Sequence, residues 1–176
     1  SDTLWNYELG IKTSWLDNRL TANVVAYYID WSDIQLRSFD VDSLSSRIQN
    51  IAKAEIFGLE TEIRYQATES LHLSVNYSYI DAALAADFLD ASTTPPTVVA
   101  ADGDDLPGSS PHVFSLLADW HISLTSNLDL QVNANYRYIG SRESELGSTG
   151  GLVGGFSDVP SSEAVNLSAS VSHDNG

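Results

Sequence analysis

The sequence predicts an all-β protein: an antiparallel up-and-down transmembrane β-barrel, present as about seven meander strands of an incomplete wall. Three observations predict it. Long segments alternate apolar with polar side chains, and a period of two gives a strand two unlike faces. These segments run to about ten residues, the length a membrane-spanning strand needs, where an average soluble strand has about 5–6. The connections go short, long, short, long, short, long, as periplasmic turns and extracellular loops do in bacterial barrels. Aromatic side chains collect at the ends of the apolar faces, where interfacial belts lie.

The first strand is expected from Thr3 to Leu16. Trp5, Tyr7, Leu9, Ile11, Thr13 and Trp15 take one face; Asn6, Glu8, Gly10, Lys12 and Ser14 take the other. Asp17-Asn18-Arg19 supplies a tight turn. The second strand starts at Leu20 and reaches about Trp31, with Leu20, Ala22, Val24, Ala26 and Tyr28 as its apolar set. Val25 and Ile29 sit in the opposite set, so alternation alone leaves its facing open. It is expected to continue past Asp33 into Ile34–Ser38, before a polar loop through Ser46.

The hairpin from Glu55 to Ala82 has the clearest pattern. Phe57, Leu59, Thr61, Ile63 and Tyr65 alternate with Gly58, Glu60, Glu62, Arg64 and Gln66. After the turn Thr68-Glu69-Ser70, Leu71, Leu73, Val75, Tyr77 and Tyr79 alternate with His72, Ser74, Asn76 and Ser78. A connection from Ala83 to Pro111 follows, broken by Pro95-Pro96, Gly103, Pro107 and Gly108. A fifth strand begins near His112, with Phe114, Leu116, Ala118, Trp120 and Ile122 opposed to Ser115, Asp119 and His121. Thr125-Ser126-Asn127 turns the chain into the sixth strand. There Leu128, Leu130, Val132, Ala134, Tyr136 and Tyr138 oppose Asp129, Gln131, Asn133, Asn135 and Arg137. A Gly/Ser-rich loop covers Gly140 to Pro160, and a seventh strand runs from about Ser162 to Ser172.

With the short turns placed at the bottom, Trp5, Tyr7, Tyr28, Phe57, Tyr77, Tyr79, Phe114, Tyr136 and Tyr138 fall near the top. Trp15, Tyr65 and Trp120 fall near the bottom, with aliphatic and small residues between. The polar face carries Asn, Gln, Glu and Arg along whole strands, which a wet lumen tolerates and a packed core does not. The candidate lumen-facing residues are Glu8, Lys12, Glu60, Glu62, Arg64, Gln66, His72, Asn76, Asp119, Gln131, Asn133, Asn135 and Arg137.

Composition narrows the function classes. The chain has 176 residues, no Cys and no Met, so disulfides and thiolate metal sites are excluded. No segment has the roughly 18 apolar residues of a helical span. The formal net charge of −16 argues against nucleic acid as a partner, because that binding rests on Lys and Arg neutralising phosphates. Asp81, Asp87, Asp90, Asp102, Asp104 and Asp105 all fall in one connection, as a solvated loop would place them. No charged n-region or apolar h-region of a signal peptide is visible. Bacterial single-chain barrels have even strand counts, and an open edge in lipid costs several kcal/mol per unpaired group. Further strands are therefore expected before Ser1, after Gly176, or both; the opening Ser1-Asp2-Thr3 and the turn-like His173-Asp174-Asn175-Gly176 likewise look cut from a longer chain.

Catalytic chemistry finds little support. Glu60 and Glu62 point the same way, as a hydrolytic carboxylate pair could, but with Arg64 and Lys12 they equally form a solvated wall or a plug contact. His72, His112, His121 and His173 lack metal-ligand spacing such as H-E-x-x-H; one axial haem ligand would need only one of them, and nothing singles one out. No cofactor is expected. Asp102-Gly103-Asp104-Asp105 could offer calcium its hard oxygens, but lacks the EF-hand spacing and fits turn chemistry better. Gly147, Gly150, Gly151, Gly154 and Gly155 lack the Gly-Lys-Ser/Thr ending of a phosphate loop and fit a mobile outer loop. No G-x-S-x-G elbow occurs.

The residues resemble one known family. Asn50, then Ala54, then Gly58-Leu59-Glu60-Thr61-Glu62 is similar to the "N…A…G-x-E-x-E" stretch in the later barrel of TonB-dependent outer-membrane receptors. Tyr7-Glu8-Leu9-Gly10-Ile11-Lys12 looks like its "E-x-G-x-K" strand, and Arg19-Leu20 through Tyr27-Tyr28 with Asp33-Ile34-Gln35 like the strand after it. Tyr77-Ser78-Tyr79-Ile80-Asp81-Ala82 and the Asp102-Gly103 … Leu106-Pro107 … Pro111-His112 run are similar in the same order. The resemblance covers nearly the whole chain. It implies a 22-stranded barrel around an N-terminal plug, in the bacterial outer membrane and in contact with its lipid. It implies uptake of a scarce, large nutrient, usually a ferric siderophore, sometimes haem, cobalamin or a glycan. Energy would come from the inner-membrane TonB complex through a TonB box. Neither plug, TonB box nor a closing strand with its terminal aromatic is in the sequence, so these partners would act through the missing parts. The alternatives are a passive porin or surface-binding barrel, and a soluble or adhesin-like β-protein.

Overall fold

The computed structural model describes residues 2–40, 45–50, 53–90, 95–144 and 158–173. Alternation over long segments leads to long strands. β1 (Thr3–Trp15) and β2 (Leu20–Ser32) form the first hairpin. Short strands β3 (Gln35–Asp40) and β4 (Ser45–Asn50) follow. β5 (Ala54–Gln66) and β6 (Leu71–Leu84) form the second long hairpin. β7 (Phe88–Asp90) and β8 (Thr97–Ala100) are short. β9 (His112–Thr125) and β10 (Leu128–Ile139) form the third long hairpin. After β11 (Arg142–Glu143) and β12 (Asp158–Val159) comes β13 (Ser162–His173). The described residues include no helix.

The seven long strands make one antiparallel meander in the order β1-β2-β5-β6-β9-β10-β13. The expected architecture is therefore present. Its register puts every apolar set on one face. Ile11 faces Val24, then Thr61, Tyr77, Phe114 and Tyr138 across successive strands. Thr13, Ala22, Ile63, Val75, Leu116, Tyr136 and Val165 form the next such row. A slip of one residue at any interface would carry a whole apolar set to the wrong face. The unity of the face across six interfaces is what fixes the register. The facing of β2 is settled by the same rows: Val25 pairs Glu60 and Ile29 pairs Ile56, on the face opposite Val24.

The aromatics of the upper end touch one another. Tyr7 meets Tyr28, Phe57 meets Tyr79, and Phe114 meets Tyr136, with ring centroids 6.1–6.5 Å apart. His112 bridges β6 and β9, stacked at 6.2 Å on Tyr77 and joined to its hydroxyl at 2.9 Å. Such pairs add about 0.5–1.5 kcal/mol each beyond area burial. Trp15, Tyr65 and Trp120 share this face at the other end, with Trp15 and Trp120 about half exposed.

At the short-turn end, Arg19 joins two hairpins. Its Nε and Nη2 donate to Gln66 O at 3.1 and 2.9 Å, and Nη2 also to Ala67 O at 2.7 Å. A planar fork of donors suits two adjacent carbonyls. The turn before it begins one residue earlier than expected. β1 stops at Trp15, and Leu16, Asp17 and Asn18 all adopt positive φ.

The long connections differ most from expectation. The second strand does not run on past Asp33. It breaks at Ser32, Asp33 takes φ 58°, and the chain resumes as the separate hairpin β3·β4. Part of the expected polar loop through Ser46 is thus strand, while residues 41–44 lie outside the described residues. The Ala83–Pro111 connection is not bare loop. β6 extends into it as far as Leu84, and β7 pairs β8 within it. Its small core holds Leu84, Phe88 and Ala100, with Val99 and Leu106 packed on it. In the Gly140–Pro160 connection, Arg142–Glu143 pairs Asp158–Val159. The glycines 147, 150, 151, 154 and 155 lie outside the described residues.

Candidate functional site

The face opposite the apolar one is the candidate site. All thirteen predicted residues fall on it. Glu8 pairs Tyr27 and Lys12 pairs Asn23. Asn23 in turn pairs Glu62, then Asn76, Ser115 and Arg137, a row polar at every step. Thr21, Arg64, Ser74, Leu117 and Asn135 form the row below. Gln66, His72, Asp119 and Asn133 form the next, and Gln131 pairs His121 beneath it.

The structure brings only some of these together. Glu62 is the hub. Asn23 Nδ2 donates to its Oε2 at 2.9 Å, and the Arg64 guanidinium donates to its Oε1. One carboxylate is thus held in place by two donors from adjacent strands. Asn76 Nδ2 reaches Ser115 Oγ at 3.4 Å, and His121 Nε2 stands 3.6 Å from Asp129 Oδ1. Glu60 takes no hydrogen bond or ion pair from any described residue. Beside it lies a recess of about 290 Å³, floored by the rows Val25–Glu60–Ser78–Val113 and Asn23–Glu62–Asn76–Ser115. The recess spans four neighbouring strands, β2, β5, β6 and β9.

The upper end of the same face is not polar. Asn6 pairs Ile29, which pairs Ile56 and then Ala82; Leu4 pairs Trp31, then Ala54 and Leu84. Ala54, Ala82 and Leu84 are buried there, beside the connections that close over the strands. Of these only Ile29 stood out against the alternation; the register shows a second apolar zone there.

Two residues that matter were missed from sequence. Tyr27 lies on the polar face, its ring over Gly58, and a Cβ on Gly58 would sit inside that ring. Gly in a strand interior signals a close approach, but only the register names what approaches. Arg19 was counted as a turn residue, and its fork to the second hairpin needs the fold to be seen.

The acidic connection shows turn chemistry. Asp104 Oδ2 accepts from Ala101 N and Asp87 Oδ1 from Asp102 N, both at 2.9 Å, with Gly103 at φ 89° between. Two of its carboxylates are thus spent on backbone donors. Among the described residues no group of three His, Asp or Glu is placed to hold a metal ion. Nearby, partial burial and then the Asp158 and Asp105 carboxylates push the Glu143 pKa above its ordinary value.

Comparison with known proteins now decides the family. The profile described as TonB dependent receptor-like, beta-barrel matches residues 2–175. The chain belongs to the TonB-dependent receptor-like β-barrel family. The fold of this receptor barrel also matches solved structures. The ferric yersiniabactin uptake receptor FyuA from Yersinia pestis shares 16% identity over 96% of this chain, with a TM-score of 0.69. BauA, the ferric preacinetobactin receptor from Acinetobacter baumannii, shares 16% over 97%, at 0.68. The ferric-catecholate import receptor Fiu from E. coli K12 shares 19% over 99%, at 0.65. Identities this low show the fold alone. The receptor barrel described here spans 22%, 23% and 22% of those three chains. The family and these neighbours are receptors, not enzymes.

Proposed function

We propose that residues 1–176 are a wall section of an outer-membrane receptor that imports a ferric siderophore or similar iron complex, energised by TonB. One observation carries this reading: below the apolar zone at the upper ends of β1, β2, β5 and β6, the sheet keeps one mainly polar and one mainly apolar face. The apolar face then meets lipid, and the thirteen polar residues line a wet bore. The remaining strands, a plug and a TonB box belong to a longer receptor. Glu62, held by Asn23 and Arg64, is part of the bore wall. Glu60, with no hydrogen bond or ion pair to a described residue, is left to meet a group seated inside the bore. The cargoes of the neighbouring receptors support this one: ferric yersiniabactin, ferric preacinetobactin and ferric catecholate.

The test is uptake of radiolabelled ferric siderophores by cells carrying the full-length receptor, with and without a working TonB complex. Uptake that vanishes with TonB is expected. Solute entry that persists without TonB would instead support a passive barrel, and a full-length protein that stays in solution without detergent would support a soluble β-protein. Facing is tested separately, by single cysteines at Asn133 and Val132. A water-soluble maleimide is expected to label the first and spare the second.

A further inference from the structure

We propose that the described residues of the connection after β6, 85–90 and 95–111, form a fixed collar of the wall, not a lid, and that opening of the mouth falls to other parts of the receptor. The inference rests on the transport reading, since only a receptor that admits cargo needs its mouth to open.

The register supplies the first reason. β9 stops pairing with β6 at Tyr79↔His112, but β6 continues to Leu84. Residues 80–84 would leave their backbone groups open on that side. The returning connection fills the gap. Ile80 N donates to Pro111 O at 3.1 Å, Leu106 N to Ala82 O at 2.8 Å, and Leu84 N to Asp104 O at 2.9 Å. Gly103 N returns a bond to Leu84 O at 2.9 Å, and Ala83 bridges Asp105. The collar therefore behaves as an added length of strand. Lifting it would unpair a sheet edge.

The second reason is its attachment to neighbours on both sides. Ala85 N donates to Lys53 O, before β5, and Gly108 N to Glu143 O, in β11, each at 2.8 Å. The third is its own core: Leu84 and Ala100 are 2% exposed and Phe88 is 6% exposed. Moving elements come from the low-stability end of a structure, with few buried apolar contacts and exposed backbone bonds. The collar has the opposite attributes.

The chain's lack of cysteine allows a direct test. Bonds from Leu84 N to Asp104 O and from Leu106 N to Ala82 O flank Ala83 and Asp105. The two are therefore a non-hydrogen-bonded antiparallel pair, with Cα atoms about 4.5 Å apart, within disulfide range. In a cysteine-free full-length receptor, Ala83→Cys with Asp105→Cys is oxidised and then reduced, and ferric-siderophore uptake is measured in both states. The expected result is uptake equal within about twofold; a loss of tenfold or more that a reductant restores would overturn the collar and leave the transport reading intact. Amide exchange on the unmodified, folded receptor decides independently, even if the double variant misfolds or no energised uptake is found. Leu84 and Leu106 amides are expected to exchange at least about a hundredfold more slowly than unprotected ones. Exchange at the unprotected rate overturns the proposal.

Discussion

At the scale of single residues, the polar face depends on pairs that only the register reveals. Gly58 is a poor strand residue by propensity. It is tolerated because the Tyr27 ring covers it and restores the contact that its missing side chain would make. Gly58→Ala must push that ring aside, because the ring tip occupies the new methyl's place. The expected cost is about 1–3 kcal/mol, the usual range for overpacking. Tyr27→Ala also destabilises, by uncovering the strand. The double variant should cost less than the sum, because the alanine methyl no longer meets a ring. A double-mutant cycle of folding titrations into lipid vesicles, on the full-length receptor, measures this. Additive costs would count against the pair.

At the scale of elements, much of the wall was legible. The long strands were readable because most of them repeat one alternation for about ten residues, more than chance patterning sustains, while β2, broken at Val25 and Ile29, took its facing from its neighbours. All thirteen site residues landed on one face for the same reason. The parts that were not legible are where period two ends. The break at Asp33 depends on a positive φ that no pattern announces. The pairing of Phe88–Asp90 with Thr97–Ala100 joins segments too short to carry a periodic signal. Glu62 was named as a wall residue, but its hold by Asn23 required knowing that β2 pairs β5. The facing itself makes a prediction. Val132 sits mid-strand in β10, in a row with Leu71, Trp120 and Ala169. Val132→Arg is expected to weaken folding into lipid, by about 2–4 kcal/mol at the bilayer midplane and by less toward the interface, where Trp120 lies. Asn133→Arg, one residue on, should cost far less. Equal costs in a vesicle-folding titration would reverse the assignment of faces.

The short ladder β11·β12 responds to pH. Glu143 lies opposite Asp158 in it, and Asp105 is close enough to act on the same carboxyl. Partial burial and these two charges raise the folded pKa of Glu143 above its unfolded value. The stability it contributes is fully present below the ordinary glutamate pKa. It is lost as pH rises through the raised folded value, where ionisation brings like charges together. Acidifying a neutral sample into the carboxylate range should therefore tighten the ladder and its tie to the collar. Intrinsic-rate-corrected exchange of the Gly108 amide, which donates to Glu143 O, is expected to slow on acidification. Glu143→Gln should flatten that dependence.

At the scale of the whole molecule, the sheet has no interior of its own. Its described buried residues cluster where the connections fold over the upper strand ends, and the wall's apolar face stays open. Leu9 on β1 is 75% exposed and Leu167 on β13 is 74% exposed. β1 pairs only with β2, and β13 only with β10, among the described residues. Each edge strand therefore presents a row of unpaired N–H and C=O groups. In hydrocarbon such a group costs several kcal/mol, so two open edges outweigh the marginal stability of an ordinary domain, about 5–15 kcal/mol. Closure must come from other strands, and either further strands of one chain or another copy could satisfy an edge. Residues 1–176 produced alone are therefore expected to remain aggregated or assemble edge to edge. Light scattering of the detergent-solubilised span should report masses well above the monomer, with protease cleaving β1 and β13 before β5 and β6. A monodisperse, protease-resistant monomer would mean that the sheet closes or covers its own edges, and the wall-section reading would fail with it.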